Sequence, residues 1–305
     1  MTDIKIIAEA FDLDFLKERK NIILDGSPER SVFRTVIETS DGKLFIVEEI
    51  ADKKHKASIQ NVLKQLHALE APVQPYLEID NEGLKEIDGK YWQIQPFVEG
   101  ITLPRPEYVH DRWRGKALAE FTLLLKDIAK QLDVDNEPYS LPHYVRSIYA
   151  DTLEQDPKYA KRLKEVLEFL EPFIATYNTL PMGFCHSDLH PVNVLWGKDH
   201  IKAVIDWEFF GYKPELYDVA NMVGCVGFEH PHYLMSPLVK EFLEILKPHY
   251  TSWNMFVDLI IANRFAWISE WLRKKQYDLV ELELTYMHIL MKQKETLCQK
   301  WGIID

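Results

Sequence analysis

Residues 186–208, HSDLHPVNVLWGKDHIKAVIDWE, constrain the chain more than any other stretch. Polar groups are set inside two short apolar runs, VLW and IKAVID, in the manner of hairpin strands whose turns carry the polar residues. Asp188 is followed five residues later by Asn193, and Asp206 closes the second run. Pro191 favours a turn between Asp188 and Asn193, which curls their side chains toward one point. A hard divalent cation prefers oxygen ligands, and Mg2+ commonly takes few protein ligands together with phosphate oxygens and water. Asn193 and Asp206 form that kind of sparse site, leaving Asp188 to orient a hydroxyl and take its proton. A hairpin with polar turns and no chemistry is the plainer alternative. His186 and His190 raise a zinc site, but the partners around them are carboxylate and carboxamide oxygens, which suit magnesium better.

The first ~100 residues read as strand-rich. NIIL (21–24), SVFRTVIET (31–39), KLFIVEEI (43–50) and KYWQIQPFV (90–98) are rich in β-branched and aromatic residues, with turn signals such as DGSPER, SDG and IDG around them. One helix interrupts them over 52–70, where Ile59, Val62, Leu63 and Leu66 form a stripe and Pro72 follows its end. After Gly100 the texture turns helical, over 106–132, 162–178 and several stretches of 236–300, with a short β-like insertion near 183–212. The expected organisation is a small α+β lobe joined through VEGITLPRP to a larger, mainly helical one. A net charge of −12 over 305 residues lacks the basic face a nucleic-acid partner requires. No segment approaches the ~18–20 apolar residues of a membrane span, the amino terminus carries acids rather than a secretory pattern, and Cys185, Cys225 and Cys298 lack metal-ligand spacing. These features fit a reduced, cytoplasmic protein with no membrane or nucleic-acid partner, and leave the oligomeric state open.

H-x-D-x-x-x-x-N (His186, Asp188, Asn193), an apolar strand ending I-D-W-E, and Y-D-V-A at 217–220 resemble, in that order and spacing, the aminoglycoside phosphotransferase and choline kinase group. The resemblance covers most of the chain, although its sharp motifs occupy only 183–224. It implies a bilobal, protein-kinase-like α+β fold, with a nucleotide-binding N-lobe of antiparallel sheet and one main helix over 1–99. A larger, mostly helical C-lobe over 100–305 would carry catalysis and the acceptor. It also implies ATP as co-substrate, Mg2+, and direct in-line transfer to the hydroxyl of a small molecule: an amino alcohol such as choline, an aminoglycoside or a sugar.

Residue by residue, the resemblance makes Asp188 the catalytic base and Asn193 and Asp206 the magnesium ligands. His186 would brace the loop, and Asp218 would accept hydrogen bonds from the loop backbone. Glu208 matches the second acid of I-D-x-E, reaching metal through water or facing the acceptor, unless it is a solvated strand end. LDGSPERSVFRTV resembles a phosphate-covering hairpin, with Ser27 and the backbone at Gly26 cradling phosphate; an ordinary turn is the alternative. Ile46 and Glu48 of the following strand would line the nucleotide. Pro96 has no N–H, so adenine would meet the Gln95 carbonyl and the Phe97 amide. Trp267, Glu270 and Trp271 lie at i, i+3, i+4 and, with Glu208, Phe209 and Tyr212, would shape an aromatic and acidic pocket for an ammonium group. Alternatively the tryptophans are core and Glu270 pairs with Lys274.

One position departs from the family. Strands of the V-A-I-K type end in a lysine that neutralises nucleotide phosphates. Aligning F-I-V-E (45–48) to that pattern puts Glu48 there, in line with Leu44 and Ile46, where an unpaired carboxylate is costly. The next helix has no acid from Lys53 to Leu69 but offers Lys56 and Lys64. A charge-swapped pair is therefore expected, Glu48 on the strand with Lys64 or Lys56 opposite it. The alternative is a rotated strand with Glu48 solvated. A chain lacking the lysine also admits a rival function, a pseudokinase or spore-coat-type binding protein without turnover.

Overall fold

A computed structural model describes residues 2–24, 32–134 and 139–303. The chain separates into two compact units, Met1–Ile101 with Gln131–Val134 and Val194–Glu208, and Thr102–Lys130 with Asp135–Asn193 and Phe209–Asp305. In the first unit α1 (Ile4–Ala10) precedes β1 (Phe15–Glu18), β2 (Phe33–Thr39), β3 (Leu44–Ile50), α2 (Lys53–Ala68), β4 (Lys85–Ile87) and β5 (Lys90–Pro96). The strands form one antiparallel sheet in the order β1-β2-β3-β5-β4.

Alternation along the strands decides the two faces of this sheet. Phe45 and Val47 of β3 and Trp92 and Ile94 of β5 pack with Ile4, Ile7, Ala8 and Phe11 at the α1 end of the chain. The opposite face carries Glu48 and Gln93, directly across from each other in register, and Gln60 of α2 donates to Gln93 there. The start of α2 is capped by Asp52, whose carboxylate accepts the His55 N–H at 3.0 Å. Its expected stripe, Ile59, Val62, Leu63 and Leu66, is buried.

The expected strand at NIIL does not form. Residues 21–24 are turn and irregular backbone, and Ile23 is exposed. β2 takes its outer partner from Phe15–Glu18 instead, so among the described residues this apolar run joins no ladder.

In the second unit α3 (Arg112–Ile128), α4 (Leu141–Gln155) and α5 (Pro157–Thr176) lead to β6 (Met182–Cys185). The antiparallel hairpin of β7 (Val194–Trp196) and β8 (Ile201–Val204) belongs to the first unit. β9 (Gly211–Pro214) then pairs with β6, and α6 (Tyr217–Glu229), α7 (Pro237–Leu246), α8 (Phe256–Arg273) and α9 (Tyr277–Trp301) complete the second unit. α8 and α9 are tied by a buried ion pair, Arg264 Nη2 to Glu283 Oε2 at 2.7 Å, with the two side chains 2% and 0% exposed. Among the described residues no helix is long and apolar enough to cross a membrane.

Candidate active site

In the second unit β6 delivers the chain into His186, Ser187 and Asp188, and the start of α6 holds that turn. Asp218 Oδ2 accepts the His186 N–H at 2.8 Å, and Asp218 Oδ1 accepts the Ser187 N–H at 2.7 Å. Ser187 has φ 75°, a left-handed conformation that a non-glycine residue keeps only when its surroundings impose it. His186 is fully buried, and its Nδ1 accepts the Asp188 N–H at 3.1 Å. Burial pushes the Asp218 carboxyl up to about 6, against the Ser187 and His186 N–H groups and Lys213, which pull it down. Burial likewise pushes Lys213 of β9 down to about 8, with Cys185, Asp218 and Asp188 opposing the shift.

The Asp188 carboxylate is held from two sides. Asn193 Nδ2 donates to Asp188 Oδ2 and to the Asp188 carbonyl, both at 2.9 Å. Asn221 Nδ2 lies 3.4 Å from Asp188 Oδ1 and 3.3 Å from the Leu189 carbonyl. His190 Nε2 is 3.7 Å from Asp188 Oδ1. Burial, with His186, Arg264 and Arg105 adding to it, pushes His190 down to about 3, so its ring is neutral. The result is an oriented hydrogen-bond acceptor beside a neutral imidazole, which can fix a hydroxyl and receive its proton. Because the Asn193 amide nitrogen is directed at Asp188, its Oδ1 is the atom left for a cation.

The first unit carries Asp206 and Glu208, just beyond β8. Asp206 has φ 67°, and Trp207 Nε1 donates back to the Val204 carbonyl at 2.9 Å, which closes a tight turn. Glu208 receives Lys56 of α2 at Oε1 and His55 Nε2 at 3.0 Å on Oε2. Glu48 is buried, so the strand is not rotated outward, and its Oε2 accepts Gln93 Nε2 at 2.6 Å. Its cation is Arg34 of β2, directly opposite in register, with Nε 3.6 Å from Glu48 Oε1.

The expected pairing of Glu48 with a helix lysine is therefore corrected. Lys56 goes to Glu208, and Lys64 goes to Glu78 at 2.6 Å on the surface. The reason is the level of the helix. Gln60, one turn after Lys56, stands at the Glu48–Gln93 row and donates to Gln93 Oε1 and the Gly83 carbonyl, both at 3.0 Å. Ile46, half-buried, pairs with Gln95 in the ladder, while the Phe97 N–H is already donated to the Leu44 carbonyl at 2.9 Å. Gly26 and Ser27 lie outside the described residues.

On α8, Trp267 and Trp271 stack at 5.5 Å between centroids, and the His190 ring meets Trp267 edge-on at 6.4 Å. The Arg264 guanidinium lies 5.3 Å from the Trp267 centroid. Glu270 is held by Arg273 at 2.9 Å and by Lys274 at 2.8 Å. The Trp271 Nε1–H is buried with no hydrogen-bond partner among the described residues.

A model of the phosphotransferase enzyme family matches residues 38–254. The chain belongs to this family. Among relatives, a homoserine kinase of Bradyrhizobium sp. (strain ORS 278) is 29% identical over 163 residues, 53% of this chain and 49% of the relative. The chain spans about half the length of the curated relatives it matches. Among solved structures, a thermostable mutant of the aminoglycoside phosphotransferase APH(4)-Ia, in its apo form, superposes with a TM-score of 0.70 at 16% identity over 95% of this chain and 98% of that one. A choline/ethanolamine kinase family protein from Mesorhizobium loti gives 0.64 at 14% identity over 92% and 90%. At these identities the likeness is one of fold, and the fold is that of protein-kinase-like phosphotransferases.

Several residues of this phosphotransferase-family site were not anticipated. Asn221 follows Asp218 by three residues, a spacing that puts both on one helix face and that was available to find it. Arg34 and Gln93 are joined to Glu48 only by strand register, and nothing local in the sequence marks them.

Proposed function

We propose that the protein is an ATP- and Mg-dependent small-molecule kinase that transfers phosphate directly to an acceptor hydroxyl. The observation that carries this reading is the Asp188 carboxylate, held by Asn193 on one oxygen and approached by Asn221 on the other, on a loop pinned by Asp218. A carboxylate so fixed orients the hydroxyl and accepts its proton as the oxygen attacks in line, with no phosphoenzyme. The Asn193 carboxamide oxygen and the Asp206 carboxylate are the hard oxygen donors magnesium prefers, and we assign them as its ligands. Bound there, the ion offsets charge on the phosphate oxygens. His186 holds the Asp188 backbone, and Asp218 holds that of His186 and Ser187, as positioning residues.

The first unit is assigned the nucleotide, with Ile46 and the Gln95 carbonyl as contacts; Phe97 can contribute its ring, since its amide is engaged. Glu208 is assigned to Lys56 before any acceptor. The second unit is assigned the acceptor, against His190, Trp267 and Trp271. Because Glu270 already holds two cations, an ammonium group there would rest on the indole faces. Homoserine leads the acceptor panel because relatives bear that name, followed by choline, ethanolamine, aminoglycosides and hexosamines. We place the reaction in the cytoplasm, where ATP is available.

Buried Glu48 favours the second reading, a pseudokinase or spore-coat-type binding protein without turnover. The test is ADP release across that acceptor panel, with the product identified by mass. A phosphorylated acceptor supports the kinase; nucleotide binding with no product from any acceptor supports the second reading.

A further inference from the structure

A nucleotide polyphosphate bound at the first unit needs a cation at the sheet, and kinases of this architecture usually place a lysine on the strand that here carries Glu48. A buried carboxylate at that position opposes phosphate unless a neighbouring charge outweighs it. Among the described residues, three lysines of α2 are already engaged. Lys56 is bound to Glu208, Lys64 to Glu78 at 2.6 Å, and Lys53 sits over the Tyr91 ring at 4.6 Å. Arg34 is different, because it shares a row with Glu48. The two residues are cross-strand partners on β2 and β3, so their side chains leave the same face of the sheet at the same level. Arg34 Nε approaches Glu48 Oε1 at 3.6 Å, and the Arg34 side chain is 27% exposed against 10% for Glu48. The acid lies deeper and the guanidinium nearer the surface.

Behind the pair the row continues inward. Gln93 donates to Glu48 at 2.6 Å and accepts from Gln60 at 3.0 Å, which fixes the carboxylate from the protein side. The Tyr76 hydroxyl is raised first by burial, then by Glu48 and Glu208, with Arg34 opposing, so these charges form one electrostatic cluster. The usual strand cation held by a helix acid is thus rearranged into a strand cation held by a strand acid.

We infer that Arg34 supplies the cation that neutralises the nucleotide's phosphates, with Glu48 as the residue that positions it. This inference rests on the kinase reading of the first unit. A guanidinium is suited to the task, since its planar fork matches phosphate oxygens and it stays charged at all working pH values.

The test is calorimetric binding of MgATP, MgADP and adenosine to the full chain and to Arg34→Gln and Arg34→Lys. Losing a charge-assisted phosphate contact should weaken ATP and ADP by about 10–100-fold in Arg34→Gln while adenosine stays within about twofold. Arg34→Lys keeps a cation without the fork and should fall between Arg34→Gln and the parent chain for ATP, again with adenosine unchanged. Equal ATP affinity in all three proteins overturns the inference, and so does an equal loss for ATP and adenosine, which marks a merely structural arginine. Failure of the parent chain to bind any nucleotide overturns the kinase reading itself, an outcome distinguishable from the other two. Lys56→Met is the comparator: if it weakens ATP selectively while the Arg34 variants do not, the phosphate cation is on the helix and the inference is wrong.

Discussion

Replacing Asp218 with Asn separates stability from function at the turn that carries Asp188. The carboxylate accepts two backbone N–H groups, one on each oxygen. An asparagine has a single acceptor oxygen, so one buried N–H would face an NH2 group and lose its partner, a cost of about 1–3 kcal/mol. Against this stands the price of ionisation. Burial raises the Asp218 pKa from 3.8 to about 6, a difference worth about 3 kcal/mol. For an acid with a raised folded pKa, the unfolded chain releases its proton first as pH climbs. The stability associated with Asp218 is therefore fully present below 3.8 and is lost as pH rises through about 6. The carboxamide of the Asp218→Asn variant cannot ionise and escapes that loss.

Asp218→Asn should thus be less stable than the parent by about 1–3 kcal/mol near pH 4. Relative to the parent it should gain about 3 kcal/mol by pH 7, ending equal or somewhat more stable. Turnover should fall at least about tenfold at pH 7 all the same, because the misplaced N–H moves the loop that carries Asp188. Denaturant unfolding of both proteins at the two pH values, beside one phosphotransfer assay, measures all of this. A stability difference that does not change between pH 4 and pH 7 would refute the assignment of a buried, titrating Asp218.

Other substitutions probe the frame around the site. Lys213 has its pKa lowered by burial from 10.5 to about 8, so the unfolded chain holds its proton longer and stability should rise by about 3 kcal/mol as pH climbs through that window; Lys213→Met should abolish the rise in pH-dependent unfolding. Glu283→Gln leaves the Arg264 guanidinium buried without its counter-charge and should cost about 3–5 kcal/mol in a denaturant melt, while Arg264→Met with Glu283→Leu should recover most of that. Gly115→Ala puts a methyl against the Leu238 carbonyl oxygen where α3 crosses α7, and should lower stability by about 1–3 kcal/mol with nucleotide affinity unchanged.

What the sequence made legible follows from what is local in it. β2, β3 and β5 were readable because each spans seven residues with marked β-branched and aromatic content, and α2 because its stripe repeats over 16 residues. α1, with seven residues, and β1, with four, are too short for periodicity to stand out, and β1 carries a charge pair on a partly exposed edge. The NIIL run misled because composition favours a strand, while pairing depends on which segment reaches β2. The same limit applies to Glu48. Its misfit was visible along one strand, and charge sign pointed to the nearest lysines, but its partners Arg34 and Gln93 come from the strands on either side. Register is a tertiary property, and no single segment encodes it.

The proposed role of Asp188, acting on the acceptor hydroxyl, is open to a direct test. Asp188→Asn keeps the side chain's shape while removing its capacity to take a proton. With the acceptor identified, kcat should fall by at least about 1,000-fold, with the Kd for MgATP within about threefold of the parent. Turnover retained within tenfold in Asp188→Asn would contradict that role.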